Sequence, residues 1–180
     1  MTTALPPDQI DGELEEVDGE PVIRFVRHFD HPVTDVWAAI TQPDQLAQWW
    51  LPFDADIVVE LVPGGRFLMR SGDGEIVLDC EVLRVEPPKL FEHTHVEPGA
   101  VLRWELTPDG PDAGAPGCTL QLTQTVPSRR TVIEKGFIVG LHHSLERLSA
   151  LLAGQPMDWD WDRLAVHQAR YHERGLAPAP

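Results

Sequence analysis

Alternation of apolar and polar residues runs through the first two thirds of the chain and predicts a series of short β-strands. Ile23, Phe25 and Phe29, for example, fall on one face of an extended segment, and charged residues fall on the other. The predicted strands cover residues 13–17, 22–29, 57–61, 66–70, 75–85, 90–96, 101–107 and 118–126. Short turns rich in Gly and Pro separate most of them, which favours an antiparallel sheet.

The hydrophobic period changes to that of a helix in three places. Two short helices are predicted in tandem after the second strand, the first beginning near Pro32 and the second at Pro43. The longest helical pattern, residues 131–153, follows the last strand. A single long helix after a run of strands needs a sheet to cover its apolar face. We therefore expect the sheet to curl around this helix.

The pattern also divides the chain into three parts. Residues 1–10 are interpreted as a flexible tail, 11–154 as one domain, and 155–180 as an extension. In the extension Trp161, Leu164 and Tyr171 lie at helical spacing before Gly175, which predicts a short amphipathic helix packed on the outside of the domain.

Polar residues interrupt the apolar stripe of the long helix. At about 100° per residue the stripe consists of Phe137, Ile138, Leu141, Leu145, Leu148 and Leu152. Glu134 and Ser144 fall inside its arc, His142 lies on its edge and His143 points away. Glu134 is either a solvated first-turn carboxylate or a ligand-binding group, and Ser144 bonds back to Gly140 or lines a cavity. The pattern suggests that a cavity opens at the N-terminal half of this helix.

Four segments of the chain carry a family resemblance, in the family's order and spacing. They are HPVTDVWAAITQPDQLAQWW (31–50), PGGRF (63–67), VEPPKL (85–90) and GLHHSLERLSALLAG (140–154). These segments resemble bacterial SRPBCC proteins, of the START-like superfamily, that are related to the activator of Hsp90 ATPase. The resemblance implies an α+β helix-grip (START/Bet v 1-like) fold. In that fold a curved antiparallel sheet surrounds a long C-terminal helix, and two short helices follow the first main strand.

A cavity between the curved sheet and the long helix is the functional feature that this resemblance implies. The superfamily includes lipid carriers, hormone receptors, aromatase/cyclase domains and co-chaperones, so the fold does not fix the activity. Leu141 stands where close relatives often carry Trp, which would reshape the cavity. The chain has no room for the separate N-terminal domain of eukaryotic Hsp90 activators, so Hsp90 is not a favoured partner.

Large apolar side chains are the main candidates for a binding site, because binding pockets are mostly apolar with a few orienting polar groups. The candidate ligand-binding residues are Trp49, Trp50, Phe53, Phe67, Met69, His93, Trp104, Glu134, Phe137, Leu141, Ser144 and Leu145. The alternative is that these residues fill the core. Trp49 and Trp50 are adjacent on a predicted helix, so one should face inward and the other outward or toward an opening.

Two histidines on one predicted strand, His93 and His95, share a face with Phe91. They could be a polar anchor or half of a metal site, but no third ligand is evident, and a solvated strand face is the favoured interpretation. Motifs for a nucleophile, a phosphate loop, a dinucleotide or a metal are absent from the sequence. No metal, cofactor or catalytic residue is therefore predicted.

Charge and cysteine content limit the partners. The formal net charge of −15 argues against nucleic acid or an anionic membrane as a partner, since both need a basic surface. Cys80 and Cys118 lack metal-ligand spacing and are interpreted as buried free thiols. Without a basic-apolar leader or an apolar run that spans a bilayer, the sequence predicts a cytoplasmic protein.

Three functions remain open at this point. The favoured hypothesis is a protein that binds a small hydrophobic, aromatic or lipid-like molecule between the sheet and the long helix. The second is a protein-interaction module, either a chaperone partner or a homodimer, suggested by Trp159 and Trp161. The third is an enzyme that uses Glu134, His142 or the His93/His95 pair, and the sequence favours a non-catalytic protein over it.

Overall fold

The computed structural model describes residues 11–111 and 113–180, and within them the chain forms eight β-strands and five helices. The strands are β1 Glu13–Val17, β2 Glu20–Phe29, β3 Ala55–Val59, β4 Arg66–Ser71, β5 Val77–Glu86, β6 Leu90–Thr94, β7 Val101–Pro108 and β8 Cys118–Thr125. The helices are α1 Val33–Thr41, α2 Pro43–Leu46, α3 Arg129–Lys135, α4 Phe137–Leu152 and α5 Trp161–Glu173. The tail predicted at residues 1–10 lies outside the described residues.

All eight strands belong to one antiparallel sheet, in the order β1-β2-β8-β7-β6-β5-β4-β3. The pairing of β2 with β8 joins the beginning of the sheet to its end in the sequence. Between Val82 and Arg84 the register of β5 against β6 shifts, which marks a β-bulge where the apolar-polar alternation of the strand breaks. With α1 and α2 after β2 and the long helix after β8, this is the predicted α+β helix-grip fold.

The core lies between one face of this sheet and the helices. Alternate strand residues point into it, including Phe25, Phe91, Leu102, Leu120 and Leu122. From α4 the side chains of Ile138, Leu145 and Leu148 join the same core and are almost completely buried. Burial of each such side chain stabilises the fold by about 1.5–3 kcal/mol. None of the helices in the described ranges is both long and apolar enough to cross a membrane.

The single helix predicted at residues 131–153 is wrong, because the chain breaks it at Gly136. This glycine has φ 64° and ψ 27°, a left-handed conformation that ends α3, and α4 begins at the next residue. Because of this break, the side chains of α3 do not continue the angular positions of those on α4. Glu134 therefore does not share the buried stripe, as predicted, but is exposed and pairs with Arg130 at 2.7 Å.

Replacing Gly136 by alanine should destabilise the protein by about 1 kcal/mol, because a Cβ atom disfavours the left-handed conformation. Gly140 is the matched control: it lies inside α4, and an added Cβ would meet no atom within 4 Å. Gly140→Ala should stabilise the fold by about 0.5–1 kcal/mol. Urea unfolding of both variants checks the opposite signs. Equal effects would contradict a strained junction.

The C-terminal extension folds back onto α4. Asp160 caps α5 by accepting a hydrogen bond from the backbone N–H of Arg163 at 3.0 Å. The buried side of α5 carries His167 and Tyr171. Trp161, predicted at the same spacing, is 65% exposed, because the first turn of α5 presents it to solvent. The amphipathic helix is thus present, with a more polar contact face than predicted.

Candidate functional site

A cavity of about 220 Å³ lies between the sheet and the N-terminal half of α4. Side chains from β4, β5, β6, β8 and α4 line it, together with the segment that follows α2 and one residue of the C-terminal extension. The lining residues are Trp50, Leu51, Met69, Leu78, Cys80, His93, His95, Val96, Gln124, Lys135, Gly136, Phe137, Gly140, Leu141, Ser144 and Trp159. Of these, Val96 and Lys135 are exposed and mark its mouth.

Three tryptophans form one wall of the cavity and the core behind it. Trp49, Trp50 and Trp104 contact one another edge to face, with ring centroids 5.4–6.0 Å apart. The indole N–H of Trp49 donates to the Ala39 carbonyl at 2.9 Å, which holds this ring in the core. Trp50 is turned the other way and lines the cavity. Such aromatic pairs contribute about 0.5–1.5 kcal/mol beyond their burial, so these contacts stabilise the wall.

Arg147 fixes the segment that carries Trp50. Its guanidinium is buried and donates to the carbonyls of Gln48, Trp49 and Leu51 at 2.7–2.9 Å. Its Nε atom also donates to the Met157 carbonyl at 3.0 Å, at the start of the extension. One side chain of α4 therefore ties two irregular segments to the helix. Arg147 was not among the residues predicted from the sequence.

His93 is buried and neutral, not solvated as the sequence analysis favoured. It is 1% exposed, and its Nδ1–H donates to the Thr94 carbonyl at 2.7 Å. Its Nε2 atom accepts from the indole N–H of Trp104 at 3.1 Å. Burial lowers the pKa of His93 to about 3. Because both ring nitrogens are bonded, His93 is a structural member of the cavity wall and does not have the free nitrogen of a general base.

His95 and Gln124 form the polar end of the cavity. The Gln124 side chain is completely buried, and its amide lies 3.4 Å from Nδ1 of His95. Burial lowers the pKa of His95 to about 4, so the ring is neutral at pH 7. The Oε1 atom of Gln124 has no hydrogen-bond partner among the described residues. A buried polar atom without a partner is rare in folded proteins.

Half of the twelve candidate residues line the cavity. These are Trp50, Met69, His93, Phe137, Leu141 and Ser144. The remaining six lie elsewhere: Trp49, Phe67, Trp104 and Leu145 in the core, Phe53 half-buried at its edge, and Glu134 in solvent. Ser144 donates to the Trp50 carbonyl at 3.3 Å, and not back to Gly140.

Ten of the sixteen lining residues were not among the candidates. Gln124 and Trp159 matter most of these, and only Gln124 had a visible signal in the sequence. Gln124 follows Cys118, Leu120 and Leu122 at alternate positions of β8, so the alternation alone places it on the inward face. Trp159 comes from the extension, and its contact with the cavity depends on how that extension folds back.

A second polar cluster joins α4 to α5 outside the cavity. The His142 ring stacks on His167 with centroids 4.1 Å apart, and its Nδ1 atom lies 2.8 Å from the Tyr171 hydroxyl. That hydroxyl accepts from the backbone N–H of Gly12 at 2.7 Å. Burial, and then the nearby His167, lower the pKa of His142 to about 3. His142 therefore bonds to α5.

Three side chains of this cluster place metal-ligand-type atoms close together. His142, Glu146 and His167 each offer one such atom, all within 4.8 Å of one another. Glu146, however, already accepts two hydrogen bonds from Arg163 at 2.7 and 2.8 Å. Burial raises the pKa of Glu146, but the bonds to Arg163 and His167 outweigh it and hold it well below its usual range. Because Glu146 is already bonded to Arg163 and His167, the cluster is interpreted as a polar joint between α4 and α5.

His143, predicted to point away from the core, is completely buried. Its Nε2 atom accepts from the backbone N–H of Asp160 at 3.1 Å, and Trp159 stands against its ring at 4.7 Å between centroids. The prediction was wrong because the extension covers the face of α4 that would otherwise meet solvent.

The comparison with protein families gives one match over most of the chain. The family described as Activator of Hsp90 ATPase homolog 1-like protein matches residues 30–153. None of the curated proteins matches the chain.

Solved structures with the same fold include proteins from several bacteria. MLL2253 from Mesorhizobium loti is 30% identical, with 76% of this chain and 99% of that chain covered and a TM-score of 0.58. CalU16 from Micromonospora echinospora is 21% identical, and the match covers 92% of this chain and 97% of CalU16 with a TM-score of 0.66, which shows the fold. DynU16, described as a putative protein in the dynemicin biosynthetic locus, is 29% identical. The match covers 78% of this chain and 50% of DynU16 with a TM-score of 0.58.

Proposed function

The chain belongs to the Activator of Hsp90 ATPase homolog 1-like family, and from this premise we propose that it binds a small, largely apolar molecule in the cavity between the sheet and α4. The observation that carries the proposal is the cavity itself, whose wall combines Trp50, Met69, Phe137 and Leu141 with a few buried polar atoms. This composition is typical of small-molecule sites. The description of DynU16 as a biosynthetic-locus protein supports a role with a small organic molecule.

The size of the cavity restricts the ligand. An apolar cavity of about 150 Å³ is large enough to bind benzene, whereas sites for drug-sized ligands measure roughly 300–1,000 Å³. At about 220 Å³ the cavity holds one ring with a few further heavy atoms. This volume favours the aromatic ligand among the hypotheses and disfavours a long lipid chain.

Two of the residues considered for catalysis lie away from this cavity. Glu134 is exposed beside Arg130, and His142 belongs to the joint between α4 and α5. His93 lines the cavity but has both ring nitrogens bonded. Of the described residues considered for catalysis, only His95 has a free ring nitrogen in the cavity, whereas most of the lining is apolar, which supports binding. A homodimer remains a prediction.

Leu141→Trp tests the proposal by filling the cavity with an indole. We expect the variant to fold, to lose about 1–3 kcal/mol of stability to overpacking, and to lose the thermal shift that single-ring aromatics give with the wild-type chain. Leu151→Trp is the matched control, because Leu151 lies on α4 outside the cavity and is half-buried. It should keep the ligand shift. Undiminished binding by Leu141→Trp would place the ligand elsewhere.

A further inference from the structure

We propose that the molecule bound in this cavity is an aromatic compound with a neutral hydroxyl group, of which phenol is the simplest case, and that its hydroxyl hydrogen-bonds to Gln124 and His95. The inference rests on the proposed function, since it needs the cavity to be a binding site. It goes further by naming the group that the polar end of the cavity recognises.

The first support is the position of Gln124. Its side chain is the polar member of the inward face of β8 and is 0% exposed, yet Oε1 has no partner within the described residues. The neighbouring inward positions Leu120 and Leu122 show that an apolar residue fits this face. A buried polar atom that costs stability on its own gains its partner when a donor enters the cavity.

The second support is the pairing of donors and acceptors. If the Gln124 amide N–H donates to Nδ1 of His95, then Oε1 is a free acceptor, and the remaining ring proton on Nε2 is a donor. If the amide is turned round, Oε1 accepts from Nδ1–H, and the free groups are an amide N–H and the Nε2 lone pair. In both cases the pair offers at least one donor and one acceptor. A hydroxyl group, which donates once and accepts, complements both arrangements.

The third support is the apolar surface next to this pair. The His95 ring meets the Phe137 ring edge to face, with centroids 5.5 Å apart. Trp50, Met69 and Leu141 line the same cavity. An aromatic ring could lie against these side chains while its hydroxyl reaches Gln124.

The charges that line the cavity argue against a ligand with a carboxylate at the polar end. Among the described residues that line the cavity, only Lys135 carries a charge at pH 7, and it is exposed at the mouth. Burial lowers the pKa of His95 to about 4, so this ring does not supply a cation. A carboxylate beside Gln124 would be buried without a counter-ion, which is strongly unfavourable. A ligand that binds through a carboxylate would have to sit at Lys135.

The test compares 4-fluorophenol with 4-fluorotoluene, which differ only in a hydroxyl and a methyl group, by fluorine NMR titration of the full chain. In wild type the phenol should bind about tenfold tighter, the size of effect expected of one or two neutral hydrogen bonds. In Gln124→Leu this preference should be lost, because the phenol loses its bond to Gln124 and keeps only His95 as a polar partner. Gln121→Leu is the matched control on the same strand, with a side chain on the opposite face, and should behave as wild type.

Three other outcomes of the titration would each contradict a different claim. Equal or tighter binding of the toluene to wild type would overturn the hydroxyl proposal and leave the cavity as a site. Binding of neither probe would overturn the proposed function itself. Tighter binding of 4-fluorobenzoate than of the phenol would mean that Lys135 selects a charged ligand. The ratio of the wild-type affinities for the phenol and the toluene tests the hydroxyl proposal even if Gln124→Leu is poorly folded.

Discussion

Replacing Arg147 by methionine is expected to cost about 3–5 kcal/mol of unfolding free energy, because it removes a buried charged donor and leaves its partners unsatisfied. Four carbonyls lose their donor at once, those of Gln48, Trp49, Leu51 and Met157. Three of these belong to the segment that positions Trp50, so the cavity should lose its tryptophan wall together with stability.

Urea unfolding at pH 7 measures the loss, and near-UV circular dichroism reports the tryptophan wall. Arg130→Met is the matched control, because Arg130 is 82% exposed in its side chain and pairs only at the surface with Glu134. Its effect should stay within about 0.5 kcal/mol. A loss below about 1 kcal/mol for Arg147→Met would contradict the assigned role, since it would mean that water replaces the guanidinium at all four carbonyls.

Acidification from pH 7 to 5 is expected to lower the unfolding free energy by roughly 2 kcal/mol for each completely buried neutral histidine. Burial lowers the pKa of both His93 and His142 from 6.5 to about 3. In this range the unfolded chain therefore binds a proton that the folded chain does not. Their contribution is complete above pH 6.5 and is lost progressively as the pH falls toward 3. Two such residues together approach the total stability of an ordinary domain.

Unfolding free energies measured at pH 7, 6 and 5 should give this slope, and proton NMR should show ring signals of His93 and His142 that do not titrate above pH 5. Ring signals of His93 that titrate near pH 6.5 would contradict the neutral, doubly bonded state. A flat stability profile would contradict the coupling between protonation and unfolding.

Most of the fold could be predicted from local pattern, because the strands alternate cleanly and turn residues separate them. The bulge near Leu83 was visible as a break in the alternation. The junction at Gly136 was not predicted, although a signal was present: Lys135 and Gly136 are the basic last turn and left-handed end that close many helices. Apolar residues continue at helical spacing on both sides of that glycine, and this pattern led to the prediction of one continuous helix.

The candidate site could be predicted only in part, because its polar residues depend on long-range contacts. Periodicity placed Trp50, Phe137 and Leu141 near the cavity that the resemblance implied. The burial of His93 depends on Trp104 in the neighbouring strand, and that of His143 depends on the extension folding back. A one-dimensional pattern contains neither of these pairings.

The return of the extension to the cavity has an evolutionary consequence. The family match ends at residue 153, yet Trp159 is part of the cavity wall. The segment that matches the family is therefore shorter than the segment that encloses the cavity. A substitution at Trp159 would change the lining of the cavity with no change to the sheet or to α4. If the proposed binding holds, relatives with near-identical domains but different extensions are expected to differ in the molecules that they bind.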